Sequence, residues 1–170
     1  SITHNDLVYV LKELKGQHVE QLWYHDTDLH GIDAVFLPAS GVYREGYNEL
    51  RHAPMTRQIM RFAENGGFVF GAGNGFRLLC DWGLLPGNLV ENPSGRFVAQ
   101  NSLINVDNRN TRISALYNGS MPLKLPVSTY FGRFVASADE MKTMQRNRQV
   151  IFRFADSQGR ITPQANITGS

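Results

Sequence analysis

A single cysteine, Cys80, in 170 residues excludes an internal disulfide and makes a reducing compartment the expectation. No histidine follows His52, because all five (His4, His18, His25, His30 and His52) fall in the first third, so none is available late in the sequence as a general base. No charge of one sign dominates: the formal net charge is +2 and the arginines are scattered, which is too little to argue for nucleic acid. No apolar run approaches the ~18 residues of a membrane span and no secretory leader is recognisable, so a cytoplasmic chain with no membrane contact is expected. The triplets Asn118-Gly119-Ser120 and Asn166-Ile167-Thr168 then read as chance glycosylation patterns. With 42% hydrophobic residues, residues 1–170 are expected to form a single globular domain with a substantial core.

The informative segment is Phe68-Val69-Phe70-Gly71-Ala72-Gly73-Asn74-Gly75-Phe76-Arg77-Leu78-Leu79, which reads strand, sharp turn, helix. In a nucleophile elbow the apex residue takes a positive φ and projects its side chain over the sheet edge. A Ser or Cys there carries about 1–3 kcal/mol of strain. Glycine adopts the geometry at almost no steric cost. Gly73 at the apex therefore keeps the shape and cannot form an acyl or thioester intermediate. An ordinary glycine-rich strand-to-helix turn is the plainer alternative.

Other chemistries leave weaker traces. Gly71-Ala72-Gly73-Asn74-Gly75 partly matches the dinucleotide fingerprint, with Glu91 about 20 residues on as a ribose ligand. Phe76, however, occupies the third glycine position, and Glu91 lies in the loop-like stretch Val90 to Gly95. His25-Asp26-Thr27-Asp28-Leu29-His30 is the best metal candidate. The stronger reading is a polar loop, and no metal or other cofactor is expected. Cys80, seven residues past the apex on a helix leading away, reads as a core cysteine. Ser40 has no recognisable histidine or lysine supporting it as a nucleophile. The six arginines Arg109, Arg112, Arg133, Arg146, Arg148 and Arg153 are expected to be dispersed over different faces. Phe68, Phe70, Phe76, Trp82, Phe97, Phe134, Phe152 and Phe154 are expected in the core.

Hydrophobic patterning alternates helix and strand. Leu7, Val10, Leu11 and Leu14 predict a helix from about Asn5 to Lys15, stopped by Gly16. Val19 to Trp23 and Ala34 to Leu37 predict strands, and Met55, Ile59, Phe62 and Ala63 mark the inner stripe of a helix. Strands are expected over Phe97 to Val106, Arg112 to Leu116, Leu123 to Ser128 and Arg133 to Ala136. A helix near Ala138 to Arg146 and a strand over Val150 to Phe154 complete the pattern. The fold class is α/β: a mostly parallel sheet with helices on both faces and a late antiparallel section.

These residues resemble the glutaminase subunits of phosphoribosylformylglycinamidine synthases, class I glutamine amidotransferases that supply ammonia for purine synthesis. The resemblance spans nearly the whole chain. It rests on His25-Asp26-Thr27-Asp28, on Gly71 to Leu79 with Gly83-Leu84-Leu85-Pro86-Gly87, on Gly132-Arg133-Phe134-Val135-Ala136, and on Val150 to Asp156. It implies a flavodoxin-like fold. It also implies a nucleophilic cysteine at the position of Gly73, and a Pro-Gly-Gly oxyanion loop where Pro38-Ala39-Ser40 stands. A His-Gly-Glu-Gly loop falls where Thr129-Tyr130-Phe131-Gly132 stands, and a histidine and glutamate beyond the Pro163 to Gly169 stretch. Relative to that family the first strand and the carboxy-terminal His/Glu segment are expected to be lacking.

The catalytic position is thus vacant at Gly73 and the oxyanion loop altered at Ala39 and Ser40. Asn74, Gly75, Tyr130 and Phe131 would frame what remains of the binding pocket, with Tyr43 and Tyr47 nearby. The expected function is a catalytically degenerate glutaminase-like domain acting as a structural, regulatory or partner-binding module. It would be covered by a synthetase-like chain or by missing flanking segments, and the losses weigh against glutamine binding. The alternatives are a glutaminase inactivated by engineering or fragmentation and, third, a nucleotide-binding domain.

Overall fold

A computed structural model of the protein describes residues 2–39 and 45–170. The chain forms two compact units, residues 1–85 and 86–170.

The first unit opens with helix α1, Ile2–Tyr9, which continues as a wider turn over Val10–Leu14. The bond from Lys15 N to Val10 O, 3.1 Å, has the i to i−5 spacing of a π-helix. Gly16 ends the run at φ +62°. Strand β1, Ala34–Leu37, is followed by helix α2, Glu45–Arg51, and helix α3, Pro54–Glu64. Strand β2, Phe68–Gly71, then leads into helix α4, Asn74–Asp81. β1 and β2 pair in parallel with Val35 opposite Val69 and Leu37 opposite Gly71. The core is Val35 against Met55 and Ile59 of α3, with Leu22, Leu37, Phe62, Val69 and Trp82 packed around it. α3 works because proline at its start needs no hydrogen-bond donor and its Met55, Thr56 and Ile59 share one buried face.

The second unit contains strands β3, Asn88–Val90, β4, Val98–Val106, β5, Leu123–Thr129, and β6, Arg133–Val135, then helix α5, Ala138–Arg146, and strand β7, Phe152–Ala155. β3 pairs antiparallel with β6, and β4 lies between β5 and β7, antiparallel to both. α5 starts with a complete capping box: the Ser137 hydroxyl accepts from Glu140 N, and the Glu140 carboxylate accepts from Ser137 N at 2.8 Å. That carboxylate also accepts from Gly87 N, and these donors hold it below the usual range. The mixed α/β class is as the patterning indicates.

Three local expectations are corrected. Val19–Trp23 joins no ladder. Its Trp23 N–H is taken by the Asp26 carboxylate at 2.7 Å, a side-chain bond that competes with strand pairing. Arg112–Leu116 is a set of turns. There Ser114, 1% exposed, donates its hydroxyl to Asn108 O at 2.6 Å while Ala115 N bonds Thr111 O at 2.9 Å. Phe97 and Phe152 are surface residues, 59% and 38% exposed: Phe97 precedes β4 and Phe152 is the first residue of β7, at strand ends rather than in the covered middle. Cys80 is buried in α4, as expected.

Candidate functional site

The elbow forms where β2 ends. Ala72 N donates to Leu37 O at 3.0 Å, extending the parallel ladder by one bond, and Gly75 N closes a tight turn onto Ala72 O at 2.9 Å. Gly73 stands at the second position of this turn with φ +54° and ψ −116°, the type II′ geometry that glycine fills without strain. Arg77 N then bonds Gly73 O at 3.1 Å and α4 begins.

Each flanking glycine answers to crowding. A Cβ on Gly75 would lie 2.1 Å from Leu37 O, and one on Gly71 would lie 2.6 Å from the Gly75 carbonyl carbon. Both permit α4 to start directly against the end of the sheet. At Gly73 the neighbour is different. A Cβ there would meet the Ala39 methyl at 3.0 Å. The apex therefore carries no nucleophile, and the space its side chain would enter is bordered by Ala39. Ser40 and Tyr43 lie outside the described residues.

Four side chains of α2 and α4 form a network, of which the sequence pointed only to Tyr47, as a neighbour of the pocket. The Arg77 guanidinium stacks on the Tyr47 ring, 4.7 Å from its centroid, and the Tyr47 hydroxyl donates to Asp81. Arg51 approaches the same carboxylate at 3.9 Å. Burial first, and the Asp81 carboxylate second, push the Tyr47 phenol well above its ordinary range. The signal available in the sequence was the i, i+4 spacing of Arg77 and Asp81, which puts both on one face of α4.

Tyr130 and Phe131 belong to the second unit. Their rings meet edge to face at 5.2 Å, and the Tyr130 hydroxyl donates to Glu91. The loop that carries them is pinned by Asn92, 3% exposed. Its amide donates to Arg96 O and Thr129 O, each at 2.9 Å, and its carbonyl accepts from Gly132 N at 3.0 Å. Asn92 N also bonds Tyr130 O at 3.0 Å. Glu91, the candidate ribose ligand, is thus engaged by a tyrosine.

In the His25 to His30 segment the acidic groups serve the backbone: Asp26 caps Trp23 N, and Asp28 accepts from His30 N at 3.1 Å. The His30 ring bonds Glu20 at 2.8 Å. Among the described residues no group of three or more His, Cys, Asp or Glu is arranged to hold a metal ion. A cavity of about 230 Å³ opens beside α3 and β2, lined by Ala63, Val69, Leu79 and Leu84 among others, and no apex residue lines it.

A parallel strand pair opening through a glycine-rich elbow into a helix is the frame of a class I glutamine amidotransferase. The pattern of the CobB/CobQ-like glutamine amidotransferase domain matches residues 44–170, and the chain belongs to that family. It is 34% identical over 168 residues to the phosphoribosylformylglycinamidine synthase subunit PurQ of Moorella thermoacetica, covering 97% of this chain and 71% of that protein. The PurQ subunit of Chlorobaculum tepidum is 36% identical over 169 residues, 98% of this chain and 72% of the relative. Among solved structures, that of PurLQS from Thermotoga maritima superposes with a TM-score of 0.68 at 25% identity. The match covers 85% of this chain, which spans 62% of the solved chain. Among the described residues no helix is long and apolar enough to cross a membrane.

Proposed function

We propose that this chain is a catalytically degenerate, glutaminase-like domain of a purine-type synthase, acting in the cytoplasm as a structural, regulatory or partner-binding module. The observation that carries this reading is the apex: glycine stands where the chemistry needs a thiolate, and the Ala39 methyl borders the place a side chain would occupy. Nucleophilic catalysis needs an attacking atom, a base beside it and donors for the oxyanion. The first is missing at Gly73, and the added methyl at Ala39 alters the loop that would supply the third. What remains is the frame, with Asn74 and Gly75 opening α4 and Tyr130 and Phe131 on the loop of the second unit that Asn92 pins.

The partner in this reading is a synthetase-like chain, supported by relatives named as subunits of phosphoribosylformylglycinamidine synthase and by the PurLQS structure. Light scattering of the protein mixed with a synthetase-type large subunit tests the association, with a stoichiometric complex expected. Glutaminase assays on the same mixture are expected to release no ammonia. Ammonia release above the level of the large subunit alone would make the domain a working glutaminase and end this reading.

A further inference from the structure

The arginines of the second unit are not all dispersed. Arg148 and Arg153 line one cavity of about 90 Å³ together with Asp107, Asn108, Gln145 and Val150. The fold brings them together through the carboxy-terminal end of α5 and the strand that follows. Arg148 N bonds Gln145 O at 3.1 Å and Gln149 N bonds Met144 O at 2.8 Å, which ends the helix in a Schellman-type turn. The left-handed position of that turn normally goes to glycine, yet here Arg148 occupies it at φ +54°. Asn108, 8% exposed, fixes the turn from the other side: its amide donates to Arg148 O at 2.6 Å and its carbonyl accepts from Asn110 N at 3.0 Å. Asp107 N bonds Ile151 O at 2.8 Å, joining the same loop to the approach of β7.

The residue types of this lining suit a ligand of one kind. Asp107 takes the Arg153 Nε at 3.1 Å, which orients that guanidinium and leaves its two terminal nitrogens as donors. Two arginines and one aspartate among its lining residues give the cavity a net positive lining. Planar forks of this type match the oxygens of a tetrahedral oxyanion. The volume is far below the ~300–1,000 Å³ of sites that enclose drug-sized ligands, so a single anionic group is what the cavity itself can enclose. We propose that Arg148 and Arg153 form a binding site for one phosphate group, independent of the elbow and of its chemistry. The group is either free phosphate or the terminal phosphate of a small monoester whose remainder stays in solvent.

The experiment is a titration of the full chain with inorganic phosphate at low ionic strength, followed by phosphorus NMR line broadening and by melting temperature, with chloride at matched ionic strength as control. Arg148→Gly is the decisive variant, because glycine suits the left-handed turn better than arginine. The expectation is a melting temperature equal to or above that of the parent without phosphate, with phosphate affinity reduced about tenfold or more. Arg153→Lys keeps the charge beside Asp107 and loses the fork, and is expected to weaken phosphate binding as well. Competition by ribose 5-phosphate supports a monoester at the site, and phosphate binding without such competition supports the free ion. Equal responses to phosphate and chloride, or an Arg148→Gly chain that binds phosphate as the parent does, would overturn the site.

Discussion

Placing a cysteine at the apex should be costly in this chain, and the cost should depend on Ala39. A non-glycine residue held at φ +54° and ψ −116° is strained by about 1–3 kcal/mol. The new Cβ would also lie 3.0 Å from the Ala39 Cβ, well inside the ~3.5–4.0 Å at which carbon atoms rest. Relieving that contact by shifting a strand end adds about 1–2 kcal/mol, within the range for overpacking. Gly73→Cys alone should therefore destabilise by roughly 2–5 kcal/mol, and in an Ala39→Gly background by only about 1–3 kcal/mol. The coupling between the positions should be at least about 1 kcal/mol. Both tryptophans, Trp23 and Trp82, belong to the first unit, so urea unfolding followed by tryptophan fluorescence reads the unit that contains the elbow. Gly83→Ala is a control for a positive φ without crowding, because Gly83 has φ +72° and a Cβ there would meet nothing within 4 Å. Additive effects of Ala39→Gly and Gly73→Cys would refute the claim that Ala39 closes the apex.

Three further outcomes follow from the same geometry. Gly75→Ala should destabilise the first unit by about 3 kcal/mol or more, since its Cβ would press on the Leu37 carbonyl at 2.1 Å and backbone cannot rotate away; denaturant midpoints check this. Asn92→Leu should cost about 1–3 kcal/mol for each buried partner left unpaired, and should speed amide exchange at Gly132. The Glu20–His30 pair should stabilise the fold only within a pH window. Bonding to His30 first, then His18, lowers Glu20 from 4.5, so its contribution is present above that value and lost as pH falls through the lower folded value. The bond to Glu20 raises His30 from 6.5, so its contribution is full below that value and lost as pH rises through the higher folded one. His30→Ala should flatten the alkaline limb of a stability profile, and an unchanged limb would rule the pair out as its source.

The parts of the fold legible in the sequence are those fixed by local chemistry. The elbow could be read because three glycines in five residues encode its turn and its close packing directly. α3 announced itself through the Met55, Ile59, Phe62 and Ala63 stripe, and α5 was legible as a helix near Ala138 to Arg146, which a local Ser137 to Glu140 capping box starts. What escaped the sequence depends on residues far apart in the chain. Val19–Trp23 has strand-forming residues, yet a strand also needs an adjacent edge, and the Asp26 carboxylate captured a backbone donor instead. Thr111 and Ser114 turned an apparent strand into turns through side-chain bonds that residue propensity does not register. Phe97 and Phe152 show that aromatic character alone does not say which part of a sheet is covered. Arg148 and Arg153 meet only because a helix terminates in a left-handed arginine, and Tyr47 reaches Asp81 only once α2 lies against α4.

The vacancy at the apex is tested most directly by glutamine hydrolysis in the Ala39→Gly/Gly73→Cys chain, measured as ammonia release with and without a synthetase-type subunit. The degenerate-frame account predicts a folded protein with no release above background in either condition, since nucleophilic catalysis needs an activating base as well as the thiol. Sustained turnover by that variant would contradict the account and make the missing thiol and the Ala39 methyl the whole of the defect.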